Sequence, residues 1–110
     1  MVNQLKTAKV SDFTLLPGAR YRTDGDGSAD EFFEDHVESA LDAAQEDETD
    51  FQIDFDDTYG YASSFESQLA KRISEKYNHD YIDKHLKLKS DDDLNLPNRF
   101  WREYAKDYSA

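Results

Sequence analysis

Apolar residues recur along this chain at two spacings, and the changes of spacing mark out a series of elements. Asp12–Leu16 reads as a short strand stopped by Pro17-Gly18, and Arg20–Arg22 as a second short strand before the turn Asp24-Gly25-Asp26-Gly27. Ser28-Ala29-Asp30-Glu31 has the form of a capping box, in which the Ser28 hydroxyl and the Glu31 carboxylate each accept a free backbone N–H. The helix that follows places Phe33, Val37, Leu41 and Ala44 on one face and its acids elsewhere. After an acidic loop over Gln45–Asp50, Phe51-Gln52-Ile53-Asp54-Phe55 alternates at period two, the mark of a strand with one apolar face. Ser63-Ser64-Phe65-Glu66 repeats the box-like start, with Ser63 as the cap. Phe65, Leu69, Ile73 and Tyr77 then recur every four residues on a second helix. Ile82, Lys84, Leu86 and Leu88 fit a third strand. Pro97 suits the first turn of a last helix, about residues 96–108, carrying Phe100, Trp101, Tyr104 and Tyr108.

Strands and helices thus alternate, which predicts a sheet covered by helices with right-handed crossovers. The expected fold class is α/β: one domain over residues 1–110, a mixed sheet of about four to five strands and about three helices. A length of 110 residues fits a single domain. The seven Phe, seven Tyr and one Trp supply apolar area that a disordered acidic tail lacks.

Charge changes the functional picture. The formal net charge is −12. Residues 1–57 hold 16 acids and 4 bases, whereas residues 58–110 hold 9 of each. Such a chain is repelled by nucleic acid and anionic lipid, so neither is an expected partner. It contains no cysteine, which excludes a disulfide framework, a thiol nucleophile and a Cys-based zinc site. With no apolar run long enough to span a bilayer and no recognisable leader, a cytoplasmic location without membrane attachment is expected.

Chemistry-bearing clusters are sparse. Asp24-Gly25-Asp26-Gly27 resembles a calcium loop only superficially, because the acids and glycine required at the later loop positions are missing. It reads as a solvated turn leading to Ser28. Asp54, Asp56 and Asp57 gather at a strand end, where a solvated cluster is the simpler reading. His36, His79 and His85 match neither zinc spacing nor a triad. The expectation is therefore a protein that is not an enzyme and takes no cofactor or metal. The sharpest feature is Ser63-Ser64 at a helix start, where free N–H groups favour a phosphate. A phosphorylation switch there stands beside the plain capping role of a serine.

The stretch FQIDFDDTYGYASSFESQL, residues 51–69, resembles the central signature of the STAS superfamily, the anti-sigma-factor-antagonist fold. In that signature a strand ending in Asp leads to an Asp-Ser-Ser-Gly turn and a helix. Asp54 takes the strand acid, Ala62 the turn acid, Ser63-Ser64 the serines and Phe65 the glycine. PGARYRTDGDGSADEFF, residues 17–33, is similar to the start of the STAS-like branch of unknown function, in which Ser-Ser-Phe replaces Ser-Ser-Gly. The resemblance spans about residues 13–90. It implies a small non-catalytic binding module whose partner is a GHKL-type ATPase or kinase, with Ser64 the phospho-acceptor and Ser63 a neighbouring candidate. Ala62 and Phe65 depart from the antagonist pattern, which fits a module that docks constitutively.

Two functions follow. In the first, the chain docks a protein through the Ser63-Ser64 turn and the helix behind it, with Tyr59, Tyr61, Phe65 and Glu66 as contacts. In the second, residues 24–57 act as an acidic nucleic-acid mimic of the phage anti-defence type, which occupies a basic nucleic-acid-binding protein. Asp30, Glu31, Glu34, Asp35, Glu38 and Asp42 would then form the acidic surface.

Overall fold

A computed structural model describes residues 6–25 and 27–108, and the side chains as far as Lys106. Asp26 of the expected turn and the side chain of Tyr108, expected on the last helix, lie outside the described residues. Strand β1 (Lys6–Lys9) runs directly into a one-turn helix α1 (Val10–Phe13). A 3-10 turn (Arg22–Asp24) precedes a long helical rod made of α2 (Ala29–Phe32), a π segment (Phe33–Val37) and α3 (Glu38–Asp47). Then come β2 (Phe51–Asp54), α4 (Ser63–Lys76), α5 (His79–His85), β3 (Leu86–Lys89) and α6 (Leu96–Tyr108).

The sheet has three strands in the order β1-β2-β3, all parallel, in place of the expected mixed sheet of four to five. In register, Ala8 lies opposite Ile53 and Ile53 opposite Leu88, so these residues share one face. Thr7, Gln52 and Lys87 share the other. In a parallel sheet whose successive strands add in one direction, crossovers of the usual hand put their helices on the same face. Accordingly Phe51 and Ile53 are buried, while Thr7 and Lys87 stay exposed. The core is aromatic. Rings follow one another from Phe13 through Phe32, Phe65, Tyr61 and Phe55 to Phe100, with centroids 5.6–6.2 Å apart. Helices α4 and α6 pack most extensively against each other.

Four expectations are corrected. Residues 12–16 are not a strand: Phe13 ends α1 and turns its ring onto Phe32 and His36, and pairing with β2 falls on Lys6–Lys9 instead. Residues 20–22 are not a strand either. The Ala19 and Arg20 carbonyls accept the free N–H groups of Ala29 and Asp30, so this segment caps α2. Ile82 and Lys84 belong to helix α5, because the Asn78 side chain accepts the Tyr81 N–H at 3.1 Å and starts a helical turn. The strand begins only at Leu86. Finally, the acidic loop is shorter than expected, since α3 continues to Asp47.

Other expectations hold. Ser28 caps α2 by accepting the Glu31 N–H at 3.1 Å. Phe33, Val37, Leu41 and Ala44 are buried, as are Phe65, Leu69, Ile73 and Tyr77. Within the rod Phe32 is buried as well as Phe33, and the π segment lies where the two rings diverge into the core.

Candidate functional site

Three parallel strands end at one edge, where Lys9, Asp54 and Lys89 lie side by side in register. The segments that leave this edge are α1 with residues 14–21, then residues 55–62, then residues 90–95. Hydrogen bonds tie them together: Phe55 N–H to Lys89 O at 2.8 Å, Tyr59 N–H to Leu15 O at 2.9 Å, and Ala62 N–H to Pro17 O at 3.2 Å. Among the described residues, the large exposed hydrophobics are Leu15, Leu16, Tyr21, Tyr59 and Leu94. All five ride on these segments, with Tyr59 79 % and Leu94 78 % exposed. The carboxyl edge of a parallel sheet is where open α/β folds bind their ligands.

The same edge concentrates charge. Asp56 is buried, yet its carboxylate takes the Lys89 ammonium at 2.6 Å and the Asp92 N–H at 2.8 Å. Burial alone pushes this carboxyl up, but Lys89 and the backbone N–H groups of Asp91 and Asp92 outweigh it and hold it below the ordinary carboxylate range. Hydrogen bonds to Asp56 and Asp91 correspondingly raise Lys89. Lys9 pairs with Asp57 at 2.9 Å. The carboxylate of buried Glu66 receives Arg99 through two bonds of 3.0 and 2.9 Å, and Arg99 also reaches Asp93 at 2.7 Å. Around the edge, Asp12, Asp54, Asp56, Asp57, Glu66 and Asp91–Asp93 make eight carboxylates against four cations, Lys9, Arg20, Lys89 and Arg99. Of the three acids the sequence placed in a solvated cluster, Asp57 is exposed as expected, whereas Asp54 and Asp56 are buried, Asp56 in its pair with Lys89. No group of three or more potential ligands among the described residues is placed to hold a metal ion.

The predicted contact residues separate. Tyr59 is exposed, and Tyr61 is half-buried with its hydroxyl donating to Phe55 O at 2.8 Å. Phe65 is fully buried and Glu66 nearly so, which corrects their expected role as partner contacts. Phe65 packs on Phe32 and Tyr61, and Glu66 is spent on Arg99. The capping role of Ser63 is also corrected. Ala62 occupies the N-cap position of α4 with no side-chain bond, and Ser63 is the exposed first residue of the helix. The Ser64 hydroxyl is half-buried and donates to Gly18 O at 2.6 Å, which fastens residues 17–20 over the start of α4. Leu15, Leu16 and Leu94 do not stand out in the sequence as site residues, because leucines in loops carry no periodic signal.

The acidic helix is largely matched from within. Arg72 pairs with Asp30 and Glu34, Arg22 with Glu34 and Asp35, and Lys76 with Glu38 and Asp42. Of the six predicted surface acids, Glu31 alone has no ion pair among the described residues. The histidines are likewise engaged: His36 stacks on Phe32, His79 meets the Ser74 carbonyl, and His85 lies 2.8 Å from Asp50.

A cavity of about 390 Å³ opens between the second and third edge segments, walled by Phe55, Tyr59, Tyr61 and Leu96 and rimmed by Asp92 and Arg99. A second, of about 540 Å³, lies at the opposite end of the sheet between the end of α3 and α5. No helix of the described residues is long and apolar enough to cross a membrane. Comparison with protein-family models, with curated proteins and with solved structures gives no match.

Proposed function

We propose that the chain is a STAS-like, non-catalytic and cytoplasmic interaction module that docks a protein partner at the carboxyl edge of its sheet. The docking face centres on Tyr59, Tyr61 and the exposed start of α4 at Ser63. The observation that carries this reading is the gathering of all five exposed large hydrophobics onto the segments at that edge. Elsewhere the described surface is charged and its ion pairs are internal. Aromatic side chains such as Tyr59 commonly anchor interfaces, and truncating an anchor costs about 2 kcal/mol or more of binding. A GHKL-type ATPase or kinase is the partner class that the sequence resemblance implies. Of the two serines, Ser63 is the more accessible acceptor. Modifying Ser64 requires its bond to Gly18 to break first.

The test is site-specific photo-crosslinking in native lysate, with the probe at Leu16, Tyr59 or Leu94, and at Lys87 on the polar sheet face as the control position. A single protein crosslinked from the edge positions and not from Lys87 supports the reading. Crosslinks that form equally from Lys87 overturn it. Crosslinks from Glu34 and Glu38 to a nucleic-acid-binding protein, lost at high salt, would instead favour the acidic mimic.

A further inference from the structure

We infer that the carboxyl-edge cavity receives a guanidinium group, an arginine side chain of the docked partner. This rests on the interaction reading above and adds the chemistry of the anchoring group. The cavity's volume of about 390 Å³ leaves ample room for a guanidinium and its methylene stem. Phe55, Tyr59 and Tyr61 contribute aromatic walls, and Asp92 is the acid on the rim whose charge no cation meets, since Asp93 is paired with Arg99. Arg99 also lines it, but that charge is already met by Glu66 and Asp93. Asp92 forms no ion pair among the described residues, and one of its oxygens accepts the Asp57 N–H at 3.0 Å, which fixes its place on the rim.

The edge as a whole carries four more carboxylates than cations, so it repels a phosphate or a nucleotide and attracts a cation. Among cations, guanidinium suits these walls best. It is planar, weakly hydrated, stacks on a tyrosine face, and offers paired donors to one carboxylate. Tyr59 and Asp92 stand on different segments held together by the Asp57–Asp92 bond. The two halves of such a site are therefore placed before any partner arrives.

The experiment is a nitrogen-15 chemical-shift titration of the full chain with Ac-Gly-Arg-Gly-amide. The same peptide with citrulline, neutral and nearly isosteric, is the control. The expected result is saturable shifts at the amides of residues 58–61 and 91–93 with the arginine peptide, weakened by salt and absent with citrulline. Tyr59→Ala and Asp92→Asn should each weaken binding about fivefold, with the rest of the spectrum unchanged. Equal binding of the citrulline peptide overturns the inference. So do shifts confined to the acidic helix, or no saturable shift at all. The two readings fail separately. Crosslinking from Tyr59 without arginine binding leaves the docking face standing, and arginine binding without edge crosslinks leaves only the cavity.

Discussion

Phe65 and Tyr59 are six residues apart and do opposite work. Phe65 is fully buried between Phe32 and Tyr61, so Phe65→Ala opens a cavity in the aromatic core and should cost about 3–5 kcal/mol in urea or guanidinium unfolding. Tyr59→Ala removes a ring that is mostly in water and should change stability by less than about 0.5 kcal/mol. Equal losses in the two variants would contradict this placement. Glu66 raises a sharper question, because its carboxylate is buried and its cation comes from a different helix. Arg99→Ala leaves that charge without a partner and should destabilise by about 2–3 kcal/mol, toward the lower end because Arg99 itself is partly in water. Glu66→Gln keeps an oxygen acceptor and removes the charge, so it should cost less. Denaturant midpoints of the two variants check the order.

At the scale of the element, the start of α2 shows what local sequence can specify. Ser28 is buried and bonds the Glu31 N–H, so Ser28→Ala should cost about 1 kcal/mol. Gly27 before it has φ +80°, and an added Cβ would stand 3.1 Å from both Leu16 O and Thr14 Oγ1. Gly27→Ala combines left-handed strain with a tight contact and should cost at least about 1 kcal/mol. Thermal unfolding of the two variants reads both effects. Helix α4 teaches the reverse. Ser63-Ser64-Phe65-Glu66 has the letters of a capping box, yet Ser64 bonds a distant loop, Glu66 turns to Arg99, and Ala62 sits at the cap. The box is overridden because partners brought up from elsewhere, the Gly18 carbonyl and the Arg99 guanidinium, engage these side chains in place of the local N–H groups. In α5, Asn78 was the legible signal that the alternation of Ile82, Lys84, Leu86 and Leu88 concealed.

For the whole molecule, acid should act through the carboxylates that the fold stabilises as anions. Asp56 and Asp93 are held below their ordinary range, Asp56 by Lys89 and backbone N–H groups against its burial, Asp93 mainly by Arg99. A carboxylate depressed in the folded state contributes stability that is full above its unfolded pKa, about 4, and is lost as pH falls through the folded value. Asp56→Asn should therefore be less stable than the parent at pH 7, with the difference shrinking below about pH 4. Urea midpoints measured from pH 7 to pH 2 test this, and a difference that stays constant with pH would refute it. Protonation of the excess acids works in the opposite direction by relieving repulsion, so the comparison between the two proteins is the informative quantity.

The alternation of Phe51–Phe55, the four-residue recurrences in the α2–α3 rod and α4, and the Pro97 helix start are properties of neighbouring residues, and the sequence by itself determined them. It also determined an α/β chain with an aromatic core and an acidic N-terminal half. The number of strands and the place of β1 depended on which backbone groups found partners far along the chain. Lys6–Lys9 is a strand because β2 lies beside it, and residues 19–20 are a cap because the free N–H groups of α2 point at them. The candidate site is divided: Tyr59, Tyr61 and Ser63 stood out in the sequence, but the company they keep belongs to this second kind. Leu15, Leu16, Tyr59 and Leu94 share no spacing in sequence, and only the parallel direction of the three strands brings their segments to one edge. Burial and electrostatic pairing depend on proximity in space, and local periodicity does not report that proximity.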